Sequence, residues 1–412
     1  MGQRWFGSQF ALLGRPGPFR LISLAALGSG IGTWLAAVAL QVDIFDRTHS
    51  GVWIAALVIV EFLPTIVVGL VLGPFVDRLS RRRLMIASDL ARFGVFVALP
   101  FVDSTLGIVV LAGVAGVATS VFRPALYAGV PNLVEEDELT SANSLLQAID
   151  HGTTALAPPI AGLLVAAQGP HLAYWVNAAS FLLSAALLVR VPASKLQTAV
   201  SATRGLLRDV GDGMRTVLGS PALMTVLLVW TTAILANGAI NVSEIAFAKD
   251  SLDSGAFGFG LLAGAAGLGL ALGSLLAAPW IDRRGVSRAY ASSFVLMAAG
   301  FAVAAVAPNV WVAALCVVIS GIGNGAAVVC NFTFIGRGAS DAFRGRVITL
   351  LMSATAVTFV IGTLVGGQLT DTVGPRWVWG GSAATYALVA LLAVAMAART
   401  RSAPTAVDPL RP

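Results

Sequence analysis

Carboxylates inside long apolar runs are the groups of this 412-residue chain best suited to chemistry. Glu61 stands near the middle of one run, three residues before Pro64, and Asp43 and Asp150 lie in two others. An ionisable group at membrane depth costs roughly 2.5–3.5 kcal/mol, so it usually faces a cavity or a partner. The three acids are therefore candidates for reversible protonation. Each could instead be a hydrogen-bonded structural acid. Asp43 could also reach the membrane surface, and Asp150, beside His151, also fits a conformational network.

Three further charges lie within apolar runs or at their ends. Asp89 and Arg92 are one helical turn apart, a spacing that predicts an intramembrane ion pair. Arg123 stands near the end of another run, where it could bind an anion in a cavity or simply mark a helix end.

Composition indicates that lipid surrounds the elements that carry these groups. Hydrophobic residues make up 57% of the chain and charged residues 11%, whereas soluble domains carry about a quarter charged residues. The basic residues form short clusters between apolar runs, which argues against nucleic-acid binding. No cleavable signal peptide is apparent. Apolar runs long enough for about twelve transmembrane helices fall near 21–45, 52–73, 84–102, 105–127, 143–167, 172–190, 222–247, 257–279, 290–307, 309–333, 347–370 and 377–398.

The distribution of Lys and Arg predicts the orientation. The N-terminus, the even-numbered connections and the C-terminus, with Arg123 and Arg190 at the adjoining ends of two runs, hold 22 of the 26 basic residues, and the odd-numbered connections hold three, Arg47, Lys249 and Arg376. Cytoplasmic loops retain positive charge. Both termini are therefore expected in the cytoplasm. The many arginines, with abundant Ala and Gly, indicate a bacterial cytoplasmic membrane protein.

The two halves of the chain contain a similar motif at corresponding positions. Asp77-Arg78 follows the second run and Asp282-Arg283 the eighth, with the two acids 205 positions apart. We expect an all-α integral membrane fold of twelve transmembrane helices in two pseudo-symmetric six-helix bundles, a layout of secondary transporters. The expected parts are a cytoplasmic segment 1–20, a bundle 21–190, a cytoplasmic linker 191–221 with an amphipathic helix, a bundle 222–398 and a cytoplasmic tail 399–412.

The run from Gly73 to Arg82 resembles the major facilitator superfamily signature between helices two and three. Gly73, Asp77, Arg78 and Arg81 match it, whereas Ser80 replaces the usual glycine. Motifs at 122–125, 130–134, 139–145 and 344–347 are similar to the drug/proton antiporter branch that contains macrolide-efflux and enterobactin-exporter-like proteins.

The resemblance implies that these loop residues latch the cytoplasmic side when the transporter opens outward. Asp77 would accept hydrogen bonds from the first N–H groups of the eleventh helix, expected around Val347 to Thr349, where the helix dipole favours an anion. The alternative is that the arginines only enforce topology. The expected latch consists of Gly73, Asp77, Arg78, Arg81, Asp282, Arg283, Arg288, Arg344 and Arg346.

The resemblance also implies that helices one, four, seven and ten line the substrate path. Uncharged amides among apolar walls suit an amphipathic organic substrate, although some amides would serve helix packing instead. The cavity candidates are Trp34, Gln41, Arg123, Asn237, Asn241, Asn324 and Asn331.

The sequence thus predicts a secondary active transporter, a monomer that exports drugs or siderophore-like amphipathic compounds in exchange for protons. An importer or facilitator of a small metabolite is the alternative within transport. A non-transporting membrane enzyme or sensor is disfavoured, because no catalytic cluster, metal-ligand set or cofactor motif is visible.

Overall fold

The computed structural model describes residues 12–67, 79–193, 196, 214, 217–338 and 341–402. Within these ranges the chain forms twelve helices of 17 or more residues. They are α1 (Pro18–Thr48), α2 (Gly51–Val67), α3 (Arg81–Ala98), α4 (Thr105–Gly129), α5 (Leu139–Gln168), α6 (Pro170–Val189), α7 (Pro221–Ala246), α8 (Gly255–Arg284), α9 (Val286–Ala305), α10 (Val310–Gly338), α11 (Asp341–Val373) and α12 (Pro375–Ser402).

Ten of these helices are long and apolar enough to cross a membrane. α2 has a shorter apolar stretch, Gly51–Pro64, and α5 does not meet the same requirement of length and hydropathy. The chain is therefore an all-helical, multi-pass membrane protein. The amphipathic helix expected in the linker 191–221 falls mostly outside the described residues.

Very short connections separate several consecutive helices. Gly169, Gly285 and Gly374 each stand alone between two helices, with φ of +75°, +76° and +90°. Glycine adopts this left-handed backbone without the steric cost that a Cβ imposes. The Gly285 turn corrects one expectation, because α8 runs on to Arg284. Asp282 and Arg283 therefore lie in the last turn of a helix and not in a loop.

The packing of the first six helices recurs in the last six. α1 packs against α5 and α6, α2 against α4, and α3 against α4 and α6. α7 packs against α11 and α12, α8 against α10, and α9 against α10 and α12. Adding six to each helix number converts the first set of contacts into the second. The main contacts between the sets, α5 with α8 and α2 with α11, also exchange under this operation.

Glycines allow the two sets of helices to approach closely. A Cβ on Gly162 of α5 would lie 2.6 Å from the carbonyl oxygen of Ala256 of α8. A Cβ on Gly51 of α2 would lie 2.8 Å from the carbonyl oxygen of Gly367 of α11. In a bilayer, helix association depends on such close packing, because lipid is as apolar as the helix surfaces.

The connections α1–α2, α3–α4, α5–α6, α7–α8, α9–α10 and α11–α12 meet at one end of the assembly, which we call the arginine-poor end. Arg47, at the end of α1, donates to the carbonyl oxygen of Asp103 at 2.7 Å. Arg376, at the start of α12, donates to the carbonyl oxygens of Ser251 at 2.9 Å and Ala307 at 3.1 Å. The opposite end, the arginine-rich end, carries the start of α3 and the α8–α9 connection.

Candidate functional site

Three cavities among the described helices contain the polar candidates. The largest of these three, the central cavity, holds about 360 Å³ and takes its lining from α1, α2, α3, α4 and α6 of the first set and from α7 and α11 of the second. The N-half cavity, about 210 Å³, is lined by α1, α3, α4 and α5. The C-half cavity, about 100 Å³, is lined by α7, α8, α9, α10 and α12.

The polar groups of the central cavity include Gln41 of α1, Glu61 of α2 and Asn241 of α7. Glu61 is partly buried, and no hydrogen bond or ion pair engages its carboxylate within the described ranges. The Oε1 atom of Gln41 is likewise buried without a partner there. α2 packs closely against α4 beside Glu61, since a Cβ on Gly116 of α4 would lie 2.9 Å from the carbonyl oxygen of Glu61. The cavity therefore presents an unpaired acid beside amides.

Aromatic side chains form the apolar wall of the central cavity. Phe62 of α2 and Phe359 of α11 meet across the two sets of helices, with ring centroids 5.0 Å apart. An apolar wall with a few polar groups is the usual composition of a site for organic ligands. The aromatic lining residues are Trp34, Phe62, Phe96, Phe181 and Phe359.

Asp89 and Arg92 form an ion pair inside the membrane-spanning part of α3. The Nη2 atom of Arg92 lies 2.5 Å from the Oδ1 atom of Asp89, and both side chains are almost fully buried. The guanidinium carbon of Arg92 also lies 4.6 Å from the ring centre of Phe122 and 4.1 Å from that of Phe181. This cation–π contact and the ion pair compensate for burying the charge.

The N-half cavity brings together Trp34, Arg123 and Asp150. The Nη2 atom of Arg123 lies 2.8 Å from the Oδ2 atom of Asp150, so the two candidates neutralise each other. Asp150 therefore does not stand as a free carboxylate, and Arg123 does not stand as a free anion site.

Asp43 lies away from all three cavities, near the arginine-poor end. Its carboxylate accepts hydrogen bonds from Arg47 Nε at 2.6 Å and from the Tyr174 hydroxyl at 3.0 Å. The Tyr174 bond ties α1 to α6, the Arg47 bond lies within α1, and together they favour a structural role for Asp43 over proton transfer.

The C-half cavity contains Asn237 and Asn241 of α7 and Asn324 of α10, and of these three only Asn241 also lines the central cavity. It also contains Glu244, which the sequence interpretation missed. Glu244 lies three residues after Asn241 and on the same face of α7. The rule that singled out Glu61, an acid within an apolar run, would have found it. Asn331 is buried but lines none of these cavities, and its Oδ1 atom has no partner among the described residues.

The expected cytoplasmic latch is visible only in part. Gly73, Asp77 and Arg78 lie outside the described residues, as do the side chains of Arg344 and Arg346 in the first turns of α11.

Arg81 donates to the carbonyl oxygens of Ala128 at 2.8 Å and Leu196 at 3.0 Å. Both acceptors belong to the first half of the chain, so these two bonds do not span the halves, and the latch expected in the outward-open state stays a prediction. Asp282, Arg283 and Arg288 are exposed, and the part of the chain that the structure describes shows no ion pair for them.

Contacts between the two halves are instead found at the arginine-poor end. Asp371, in the last turn of α11, accepts hydrogen bonds at the start of α2 from Ser50 Oγ at 2.7 Å, Gly51 N at 2.5 Å and Val52 N at 3.3 Å. These N–H groups have no acceptor within their own helix, and the helix dipole favours an anion there. We call this arrangement the Asp371 cap.

A second contact between the halves lies at the same end. Lys249, in the π-helical turn after α7, is paired with Asp46 of α1. The side chain of Lys249 is 17% exposed and that of Asp46 is 52% exposed, so solvent weakens the pair.

A family model described as transmembrane secretion effector matches residues 8–409. The chain is 26% identical over 380 residues to the multidrug efflux pump Tap of Mycolicibacterium fortuitum, a match that covers 87% of this chain and 90% of Tap. It is 29% identical over 205 residues to the uncharacterized MFS-type transporter YfiS of Bacillus subtilis, a match that spans about half of each chain.

Solved transporters share the fold. A bacterial homologue of the iron transporter ferroportin in its inward-facing state aligns with a TM-score of 0.76 at 16% identity, covering 93% of this chain and 99% of that chain. A bacterial homologue of the iron transporter ferroportin in its outward-facing state aligns with a TM-score of 0.59 at 17% identity, covering 93% of this chain and 100% of that chain.

Proposed function

The chain belongs to the transmembrane secretion effector family of major facilitator transporters, and we propose that it exports amphipathic small molecules in exchange for protons. The observation that carries the proposal is Glu61, an unpaired carboxylate in a cavity lined by both halves of the chain. The 26% identity with the multidrug efflux pump Tap along most of the chain supports the direction of transport and the substrate class.

The proposed architecture has twelve transmembrane helices in two six-helix bundles, α1–α6 and α7–α12. The recurrence of the same helix contacts after six helices supports it. α2 and α5 count as spans in this proposal, because each packs between helices that are themselves long and apolar enough to cross a membrane. The proposed orientation has the arginine-rich end and both termini in the cytoplasm, and the bias of Lys and Arg supports it.

In this orientation the described conformation is open to the cytoplasm. The Asp371 cap and the Asp46–Lys249 pair close the arginine-poor end, whereas Asp282, Arg283 and Arg288 at the opposite end are exposed. The higher TM-score with the inward-facing ferroportin homologue, 0.76 against 0.59, agrees with this assignment.

Glu61 couples the proton to the substrate in the proposed cycle. When the central cavity opens outward, Glu61 takes up a proton, and when it opens to the cytoplasm the proton is released and a substrate enters. The aromatic wall and the amides of Gln41 and Asn241 hold the substrate. The Asp89–Arg92 pair lies beside this path but is already neutralised, so it positions α3 and does not carry the proton.

The test uses inside-out vesicles with an imposed pH gradient and a panel of lipophilic drugs and siderophores. Wild-type protein should accumulate at least one compound against its concentration gradient. Glu61→Gln, which keeps the shape but cannot release a proton, should abolish uphill accumulation while preserving exchange of labelled for unlabelled substrate across the membrane.

Glu136→Gln is the matched control, because Glu136 is exposed in the α4–α5 connection and lines none of the three cavities. It should behave as wild type. Uphill accumulation that persists in Glu61→Gln would remove Glu61 as the proton carrier. No gradient-driven transport of any compound by the wild type would remove proton-coupled export.

A further inference from the structure

The C-half cavity is lined by an acid, Glu244, and by a pair of aromatic side chains. Asn237, Asn241 and Glu244 succeed one another at intervals of four and three residues on α7, so their side chains share one face. Phe301 of α9 and Trp379 of α12 line the same cavity, with an edge-to-face contact at 5.5 Å between ring centroids.

Glu244 is nine-tenths buried, with 9% of its surface exposed. Within the described ranges, no hydrogen bond or ion pair engages its carboxylate. A buried acid without a partner is costly to a fold, and inside a membrane protein it commonly marks a binding or transport site. The group that completes this site is therefore a ligand with hydrogen-bond donors or a positive charge.

Of these two kinds of ligand, the aromatic pair favours the one with a positive charge. The faces of Trp and Phe rings carry negative electrostatic potential, which attracts quaternary and substituted ammonium groups. Trp379 is held in place, because its Nε1 atom donates to Ser243 Oγ at 3.1 Å and its ring stacks on Phe247 at 4.0 Å between centroids. The amide oxygens of Asn237, Asn241 and Asn324 add further acceptors. A metal ion would require more charged oxygen ligands than one carboxylate.

The size and position of the cavity define the rest of the ligand. About 100 Å³ suits a small head group but not a whole drug, whereas the central cavity holds about 360 Å³. Asn241 lines both cavities, so the two adjoin along α7. A ligand could place its head in the C-half cavity and its apolar body against the aromatic wall of the central cavity.

We propose that Glu244, with Asn241 and the Phe301–Trp379 pair, binds the substituted ammonium head of an amphipathic cationic substrate. This inference rests on the proposed export function and names the substrate class of the same path. The two acids then have different roles. Glu61 carries the proton, and Glu244 binds the positive head group.

The test uses two fluorescent probes that differ in one atom. The first is a dansyl amide with a short alkyl chain that ends in a trimethylammonium group, and the second ends in the uncharged tert-butyl group of the same shape. Equilibrium binding of both probes to the purified full-length protein is measured for wild type, Glu244→Gln and Asp253→Asn. Asp253 is an exposed acid in the α7–α8 connection and lines none of the three cavities, so its variant controls for general loss of negative charge.

Glu244→Gln should weaken binding of the ammonium probe about tenfold or more, which corresponds to about 1.4 kcal/mol, and should leave the uncharged probe within about twofold of wild type. Retained binding of the uncharged probe also shows that the variant folds. Asp253→Asn should bind both probes as wild type does.

Three results would overturn the assignment: no saturable binding of the ammonium probe to wild type, equal binding by Glu244→Gln, or equal loss of both probes. A different result would contradict the proposed export function. If wild-type vesicles bind the ammonium probe but do not accumulate it under a pH gradient, the cation site stands and proton-coupled export does not.

Discussion

Replacing Asp371 by Asn tests whether the Asp371 cap holds the arginine-poor end closed. The carboxylate accepts three hydrogen bonds from Ser50, Gly51 and Val52, at the first turn of α2. Asn keeps one acceptor oxygen but removes the charge. If the halves separate at this end, the cap is lost in the open state, so the substitution weakens the closed state and leaves the open state unchanged.

The size of the effect follows from the geometry. Hydrogen bonds to a charged group contribute about 1.5–3 kcal/mol where solvent is excluded, and an anion at an exposed helix N-terminus contributes about 0.3–1 kcal/mol. Asp371 is exposed to solvent, so the smaller range applies. We expect a loss of about 1 kcal/mol, which raises the ratio of open to closed molecules at this end roughly fivefold.

Spin-label distance measurement between α4 and α10 provides the assay. Leu106 and Trp311 stand in the first turns of these helices at the arginine-poor end and are 62% and 64% exposed, so labels there should not disturb packing. The buried cysteines, Cys316 and Cys330, are first replaced by alanine to leave only the two labelling sites. Asp371→Asn should increase the long-distance population relative to the parent protein in the same lipid.

Asp253→Asn is the control here as well, because it removes an exposed acid of the same end without touching α2. An unchanged distance distribution in Asp371→Asn, or the same shift in both variants, would refute the argument that the cap sets the equilibrium.

Two further substitutions test packing inside the membrane. Asp89→Asn leaves the Arg92 guanidinium buried and unpaired between two rings, and should destabilise the protein by about 3–5 kcal/mol, seen as a lower thermal midpoint in detergent. Adding Arg92→Gln should recover part of the loss, and a double variant less stable than Asp89→Asn would contradict the pairing. Gly162→Ala places a Cβ 2.6 Å from the carbonyl oxygen of Ala256. It should destabilise the state in which the arginine-poor end is closed by about 1–3 kcal/mol, measured as a larger long-distance population with the same spin labels. Gly94→Ala is the control, because a Cβ there meets no atom within 4 Å, and it should leave the distance distribution unchanged. An equal shift in both alanine variants would contradict the argument that the close approach of Gly162 to α8 stabilises the closed state.

The helices and the local ion pair could be predicted from the sequence. Apolar length predicted most helix positions to within a few residues, and the interval of three between Asp89 and Arg92 predicted a contact that lies within a single helix. The larger differences occur where polar residues extend a helix beyond the apolar run. α11 begins at Asp341 and α8 continues to Arg284, because helices that cross a membrane continue into its polar boundary.

The partners of Asp150 and Asp43 differ in how far the sequence could predict them. Asp150 meets Arg123, 27 positions away, only because α5 and α4 both line the N-half cavity. Asp43 is different, since Arg47 lies four residues further along the same helix. That interval predicts an ion pair by the same rule that was applied to Asp89.

The predicted and the observed contacts of α2 and α11 together give a physical reason for alternating access. The sequence predicts that Asp77, which follows the second apolar run, meets the first N–H groups of the eleventh helix at the arginine-rich end. The structure has the converse at the other end, where Asp371 at the end of α11 meets the first N–H groups of α2. If the halves rock about the central cavity, one of these contacts forms as the other breaks. Each state then has one carboxylate bound at a helix N-terminus, and the two contacts are of similar strength. The free energies of the two states therefore differ little. A proton on Glu61, or a substrate beside it, then needs only a modest difference in affinity to select between them.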